Sequence, residues 1–294
     1  MRFYSLVFIA AAGSAYAQRK LIITNECDYT VWPAVSGTNA NSGYTGLRGW
    51  EAKPGASKTV EIPDTWNGRV WPRRGCTFDK NGKGSCLAGN CDGGLSCEDA
   101  TMAWEANLFE LNTNAYGGND FWDYSLVPGF IAPMGIVPSV DDCASVVCPT
   151  DLNEDCPDDR LKEYAADGKT VIGCTSACMA GIDAGENSDN CCSGTFFEIS
   201  DYFKDSCLNA YAYPRDSRPA SEKAPTVDQT CSSAAKPNYE ITFCPTNRMS
   251  TTTTASSRTT STAGGAKLVA TTSAAKTASA SASASASAST TSAK

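Results

Sequence analysis

Two carboxylates, Glu110 and Asp123, lie in the stretch 107–134 (NLFELNTNAYGGNDFWDYSLVPGFIAPM), where two strands could set them side by side. With a side-chain period of two, Phe109 and Leu111 share one face of a strand, and Leu108 and Glu110 share the other. A Gly117-Gly118-Asn119 turn follows, and then a second run in which Asp123, Ser125 and Val127 alternate with Tyr124 and Leu126. If Phe109 packs into a core, Glu110 faces a cleft or solvent, and the hairpin brings Asp123 toward it. Paired carboxylates beside aromatic rings suit a carbohydrate: rings stack on sugar faces, and carboxylates hold hydroxyls or move protons. The same two residues also fit a plain charged strand surface.

No histidine occurs among the 294 residues. This removes Ser-His-Asp and Cys-His nucleophilic catalysis, HExxH metalloprotease chemistry and imidazole proton shuttling. Carboxylates, tyrosines, lysines or a bound metal are what remains. No ligand spacing supports a metal in the acidic region, and no cofactor is expected.

Charge and cysteine content narrow the setting. Met1-Arg2, an apolar run from Leu6 to Ala12 and Ala15-Tyr16-Ala17 read as a signal peptide over 1–17, too short to span a membrane. A mature chain starting at Gln18 is then secreted. Between 18 and 246 there are eighteen basic and thirty-two acidic residues, a balance of −14. So acidic a chain argues against nucleic acid and anionic membranes as partners, whereas a neutral polysaccharide would not be repelled. Fifteen cysteines in a secreted chain read as a disulfide framework with at least one thiol lacking an intrachain partner. Zinc at Cys174-x-x-x-Cys178 and Cys191-Cys192 is the competing reading, disfavoured without histidine in an oxidising compartment.

The elements that must carry the carboxylates read mainly as β. Lys20–Thr24, Tyr29–Ala34, Ser57–Ile62, Gly68–Trp71, Asn209–Tyr213 and Tyr239–Phe243 have strand character. The spacings from Cys76 to Cys97 suit two small loops pinned by local disulfides. Residues 141–184 are acidic, cysteine-dense and loop-like. A Thr195-x-x-Glu198 capping box predicts a short helix from about Phe196 to about Ser206. From Met249 onward the chain is Ser, Thr and Ala, so 247–294 is expected to be a disordered tail or an O-glycosylated stalk.

Taken in order, NECDYTVWPA, GRVWPRRGCTFD, CLAGNCDGGLSC, DFWDYSLVPGF, the Cys191-Cys192 pair, CLNAYAYPRD and NYEITFCP resemble the thaumatin-like proteins from about residue 19 to 246. The resemblance implies a thaumatin-like domain over 18–246. It would be a flattened antiparallel β-sandwich (18–73, 104–148, 208–246), a disulfide-rich loop and helix part (149–207) and a small disulfide-pinned hairpin part (74–103). It also implies the pairs Cys27–Cys244, Cys76–Cys86, Cys91–Cys97, Cys143–Cys231, Cys148–Cys207, Cys156–Cys174 and Cys178–Cys191. Cys192 is left over, either buried and inert or linking two chains, and a monomer is expected otherwise. An acidic cleft between the first two parts would be lined by Arg69, Glu110, Asp123 and Asp216. Where the family has a further Asp, this chain has Pro128. Fewer like charges near Glu110 would weaken it as a general acid.

Three functions fit this resemblance. The first is a β-1,3-glucan hydrolase with Glu110 as acid, Asp123 as base or nucleophile, and Arg69 and Asp216 as substrate-binding residues. The second is a wall protein that binds β-glucan without cutting it. The third is a defence, adhesion or inhibitor scaffold that acts on a partner protein. A Ser/Thr/Ala stalk on a secreted glucan-directed core suits retention in a fungal-type cell wall.

Overall fold

The computed structural model describes residues 19–40, 42–182, 198–216 and 226–246. The leader expected at 1–17, the tail expected at 247–294, Cys191, Cys192 and Thr195 lie outside these residues.

Two five-stranded sheets face each other across one core. Strand β1 (Arg19–Asn25) buries alternate residues, Arg19, Leu21, Ile23 and Asn25, as its pattern requires. It lies between β3 (Ser57–Ile62) and, in parallel, β15 (Tyr239–Phe243). Strands β10 (Met134–Pro138) and β11 (Val146–Cys148) complete that sheet in the order β11-β10-β15-β1-β3. The second sheet runs β14-β8-β7-β4-β2, with β2 (Ala34–Gly37), β4 (Asn67–Trp71), β7 (Leu108–Asn112), β8 (Asn119–Ser125) and β14 (Gln229–Ser232). Phe109, Trp122 and Tyr239 interlock between the sheets, with ring centroids 5.5 to 6.2 Å apart.

The sandwich leaves the outer face of the second sheet to be covered from elsewhere. A second cluster built on Ala34, Trp71, Leu108, Ile131 and Ile172 does this at one end, capped by the segment with β5 (Thr77–Phe78) and β6 (Gly84–Ser85). Arg73 ties that segment down. Fully buried, it donates to the carbonyls of Trp32, Gly94 and Leu95 at 2.8 to 3.0 Å, and burial lowers its pKa to about 10. A third sheet joins β9 (Gly129–Phe130) to β12 (Lys162–Tyr164) and β13 (Val171–Thr175). The one α-helix among the described residues, α1, spans Glu198–Ser206.

Six disulfides join Cys27–Cys244, Cys76–Cys86, Cys91–Cys97, Cys143–Cys231, Cys148–Cys207 and Cys156–Cys174. Cys178 is also disulfide-bonded. This density belongs to an oxidising, extracellular setting. Among the described residues no helix is long and apolar enough to cross a membrane.

Two strands expected from sequence are corrected. Tyr29–Ala34 holds only isolated bridges, Val31 to Ala52 and Ala34 to Gly49, because Pro33 lacks the N–H a ladder needs and the strand starts only at Ala34. Asn209–Tyr213 makes a single bridge, Tyr211 to Ser125, between turns closed by Ala210 N to Cys207 O and Asp216 N to Tyr213 O. Strand β14, which carries Cys231, had no clear alternation to announce it.

Candidate functional site

The site is a row of side chains set by strand register. Arg69 on β4 pairs with Glu110 on β7, and Glu110 pairs with Asp123 on β8. The β7–β8 turn fixes that alignment. Gly117 and Gly118 take φ of 70° and 73°, a region that residues with a Cβ enter at a cost. Because Phe109, Leu111, Trp122 and Tyr124 all point into the sandwich, the period of two turns Glu110 and Asp123 outward together.

Above this row lies a cleft of about 400 Å³. Its polar lining is Arg69, Glu110, Asp123, Ser125 and Tyr211, while Leu108, Met102, Met179, Val127 and Pro128 make an apolar wall. Leu108, which shares the Glu110 face, is covered by the second cluster, so the cleft begins where that cover stops.

The two carboxylates differ in environment. Glu110 is one-third exposed, and its Oε1 lies 3.5 Å from Arg69 Nη2. Asp123 has its Oδ1 sealed from solvent, with no hydrogen-bond partner among the described residues, and the Nε of Arg69 is in the same condition. Burial, then the facing charges of Glu110 and Asp228, push the Asp123 carboxyl well above the usual carboxylate range, against a smaller opposing effect of Arg69. The site thus sets a sealed carboxyl with a raised pKa beside a carboxylate that faces a guanidinium. The sequence reading takes Glu110 as the acid; which of the two carboxyls the fold seals is visible only in the structure.

Asp216 sits away from the cleft surface. It is 1% exposed, 3.0 Å from Lys204 Nζ, and accepts from the backbone N–H of Ala212 at 3.1 Å. Its charge is spent on fixing the turn that carries Tyr211. Pro128 lines the cleft at the position where the resemblance implies an acid.

Two residues of the site were missed. Tyr211 reaches the cleft because its backbone bridges Ser125, accepts from Leu126 N and donates to Tyr124 O. Its hydroxyl donates to Asp228 Oδ1 at 2.7 Å. The alternation in AYAY could have flagged Tyr211. No local pattern marks Asp228, a lone acid ahead of β14.

The chain is similar to known proteins over most of its length. It is 38% identical to thaumatin-like protein 1 of Pyrus pyrifolia over 253 residues, covering 82% of this chain and 96% of that one. Pathogenesis-related protein 5 of Arabidopsis thaliana is 39% identical, with 82% and 95% covered. A protein of Prunus avium named glucan endo-1,3-beta-glucosidase is 35% identical, with 81% and 94% covered. The Thaumatin family model matches residues 25–245. With its sandwich, its disulfides and this match in hand, the chain belongs to the thaumatin family.

Proposed function

We propose that this protein is a secreted hydrolase of β-1,3-glucan that uses Asp123 as proton donor and Glu110 as its carboxylate partner. The observation that carries this reading is the sealed, unpartnered Oδ1 of Asp123, raised in pKa and placed directly across the strand from Glu110 in an open cleft. A similar protein that bears a glucanase name supports the substrate class.

In this reading Asp123 gives its proton to the glycosidic oxygen as the bond to C1 breaks. Directly opposed residues of antiparallel strands have Cβ atoms about 5 Å apart. We take the retaining course, which needs the carboxyls about 5–5.5 Å apart, and a measured separation of about 6.5–9.5 Å would make the reaction inverting. Glu110 then attacks C1 and forms a glycosyl-enzyme, and Asp123, now ionised, takes a proton from the water that releases the sugar. Arg69, whose Nη2 lies 3.5 Å from Glu110 Oε1, orients it. Asp216 contributes from beneath by fixing the Tyr211 turn.

The mature protein is then the domain 18–246 followed by a 247–294 stalk, with the leader 1–17 removed and the stalk suited to anchorage in a glucan-rich wall, in remodelling or in defence. The second reading, binding without cleavage, is favoured by the apolar wall and by Pro128 in place of an acid. Incubating the purified chain with insoluble β-1,3-glucan separates the two. Reducing ends released by the native chain and lost in Glu110→Gln, with sedimentation on the glucan kept, support hydrolysis. Sedimentation without release supports the binding reading, and neither outcome removes the glucan and leaves a protein partner.

A further inference from the structure

The outer face of the second sheet does not end at the carboxylate row. One pleat further toward the β7–β8 turn, the register aligns Thr230 on β14, Phe121 on β8, Asn112 on β7 and Asn67 on β4. Phe121 is 36% exposed, whereas Trp122 and Tyr124 on the same strand are buried. An aromatic residue on a sheet face ordinarily gains by packing on apolar cross-strand neighbours. Here its directly opposed partners are Thr230 and Asn112, both polar. The side chains of Asn67, Asn112 and Thr230 make no hydrogen bond to other described residues, and Asn67 and Thr230 are exposed.

We propose that this row is a further sugar subsite, taking the hexose next to the one at Glu110 and Asp123 in a neutral glucan chain laid along β7 and β8. This rests on the reading that the cleft takes glucan. Three observations carry it. The row adjoins the carboxylate row, two residues along the same strands, or about 7 Å, the order of one hexose step. It presents one exposed ring for a sugar face, flanked by two amides and a hydroxyl for sugar hydroxyls. It carries no charge, although the chain is strongly acidic, so it neither attracts a cation nor repels a neutral polymer.

Phe121 projects outward from the sandwich, so trimming it leaves the interlocked Phe109, Trp122 and Tyr239 rings in place. The test is calorimetric binding of glucose and a β-1,3-linked pentasaccharide to the full chain carrying Glu110→Gln to stop turnover. We expect the pentasaccharide to bind more tightly than glucose. Adding Phe121→Ala should weaken the pentasaccharide by about tenfold and leave glucose unchanged, while Phe121→Trp should retain the tighter binding. Asn112→Ala should act in the same direction as Phe121→Ala. Sugars that bind equally at both lengths, or a Phe121→Ala chain that matches its parent, overturn the subsite while the cleft reading stands. Absence of binding by both sugars overturns the cleft reading and the subsite with it.

Discussion

Glu110 and Asp123 face each other across one strand boundary, yet Arg69 pairs with Glu110, while Asp123 has a carboxylate oxygen shut away from water with no partner among the described residues. A single residue of register thus creates two unlike carboxyls from similar side chains. The account of function rests on that asymmetry.

Its first consequence concerns stability against pH. The folded-state pKa of Asp123 is raised by burial and by the facing charges. The native state therefore binds this proton more tightly than the unfolded chain, whose carboxyl titrates near about 3.9. The contribution is fully present below that value and is lost as pH rises through the raised folded pKa. Asp123→Asn should melt at a higher temperature than the native chain at neutral pH, with the difference closing near about pH 4. Thermal melts of the two chains across pH check this, and an asparagine variant that is less stable at neutral pH contradicts it.

Asp228 should act on the chemistry from the rim. Its charge is one of the causes that raise Asp123, and it holds the Tyr211 hydroxyl at the cleft. Removing the charge with Asp228→Asn should move the alkaline limb of the pH–rate profile to lower pH, because Asp123 then loses its proton sooner. Tyr211→Phe keeps the charge and should leave that limb in place while raising KM.

Pro128→Asp tests the cleft position where the resemblance implies an acid. A new carboxylate at the cleft adds a like charge near Asp123. The alkaline limb should move to higher pH, opposite in sign to the effect of Asp228→Asn, and the two substitutions combined should partly cancel.

The interior polar network offers a stability test independent of function. Asp120 is fully buried and accepts from Arg19, from the Ser233 hydroxyl at 2.6 Å, from the Tyr239 hydroxyl at 2.8 Å and from Asn114 N at 2.9 Å. Asp120→Ala would leave the Arg19 guanidinium buried with only Asp64 and a longer contact to the Ser233 carbonyl. A loss of about 3–5 kcal/mol is expected in denaturant unfolding.

Disulfides should differ in worth according to the loop each closes. Cys27–Cys244 spans 217 residues and Cys91–Cys97 spans 6. Chain-entropy arithmetic gives about 5 kcal/mol for the first and about 2 kcal/mol for the second. Double alanine variants compared by denaturant unfolding should show that order, and a larger loss at Cys91–Cys97 contradicts it.

Much of the fold could be read from the chain. Alternation located β1, β3, β4, β7, β8 and β15 to within a residue or two, since each buries one face. The segment around Tyr29 misled because β-rich composition there serves an irregular crossing interrupted by Pro33. The pairing of Glu110 with Asp123 was legible because a period of two and a glycine turn determine it. Which carboxyl would be sealed was not, since that depends on Tyr211 and Asp228, about ninety to one hundred residues downstream and joined to β8 only through tertiary contacts. Asp216 illustrates the converse: its motif was recognisable, but its burial against Lys204 was not.

The central claim is that Asp123 supplies the proton and Glu110 the charge. It is tested most directly by hydrolysis of a soluble β-1,3-gluco-oligosaccharide, followed by reducing ends from about pH 4 to about pH 8, in the native chain and in Asp123→Asn and Glu110→Gln. We expect native activity to persist above the ordinary carboxylate range and to fall on an alkaline limb, with either substitution lowering the rate by about 10²–10⁴. An Asp123→Asn chain that cleaves the oligosaccharide with the native rate and pH profile would contradict it.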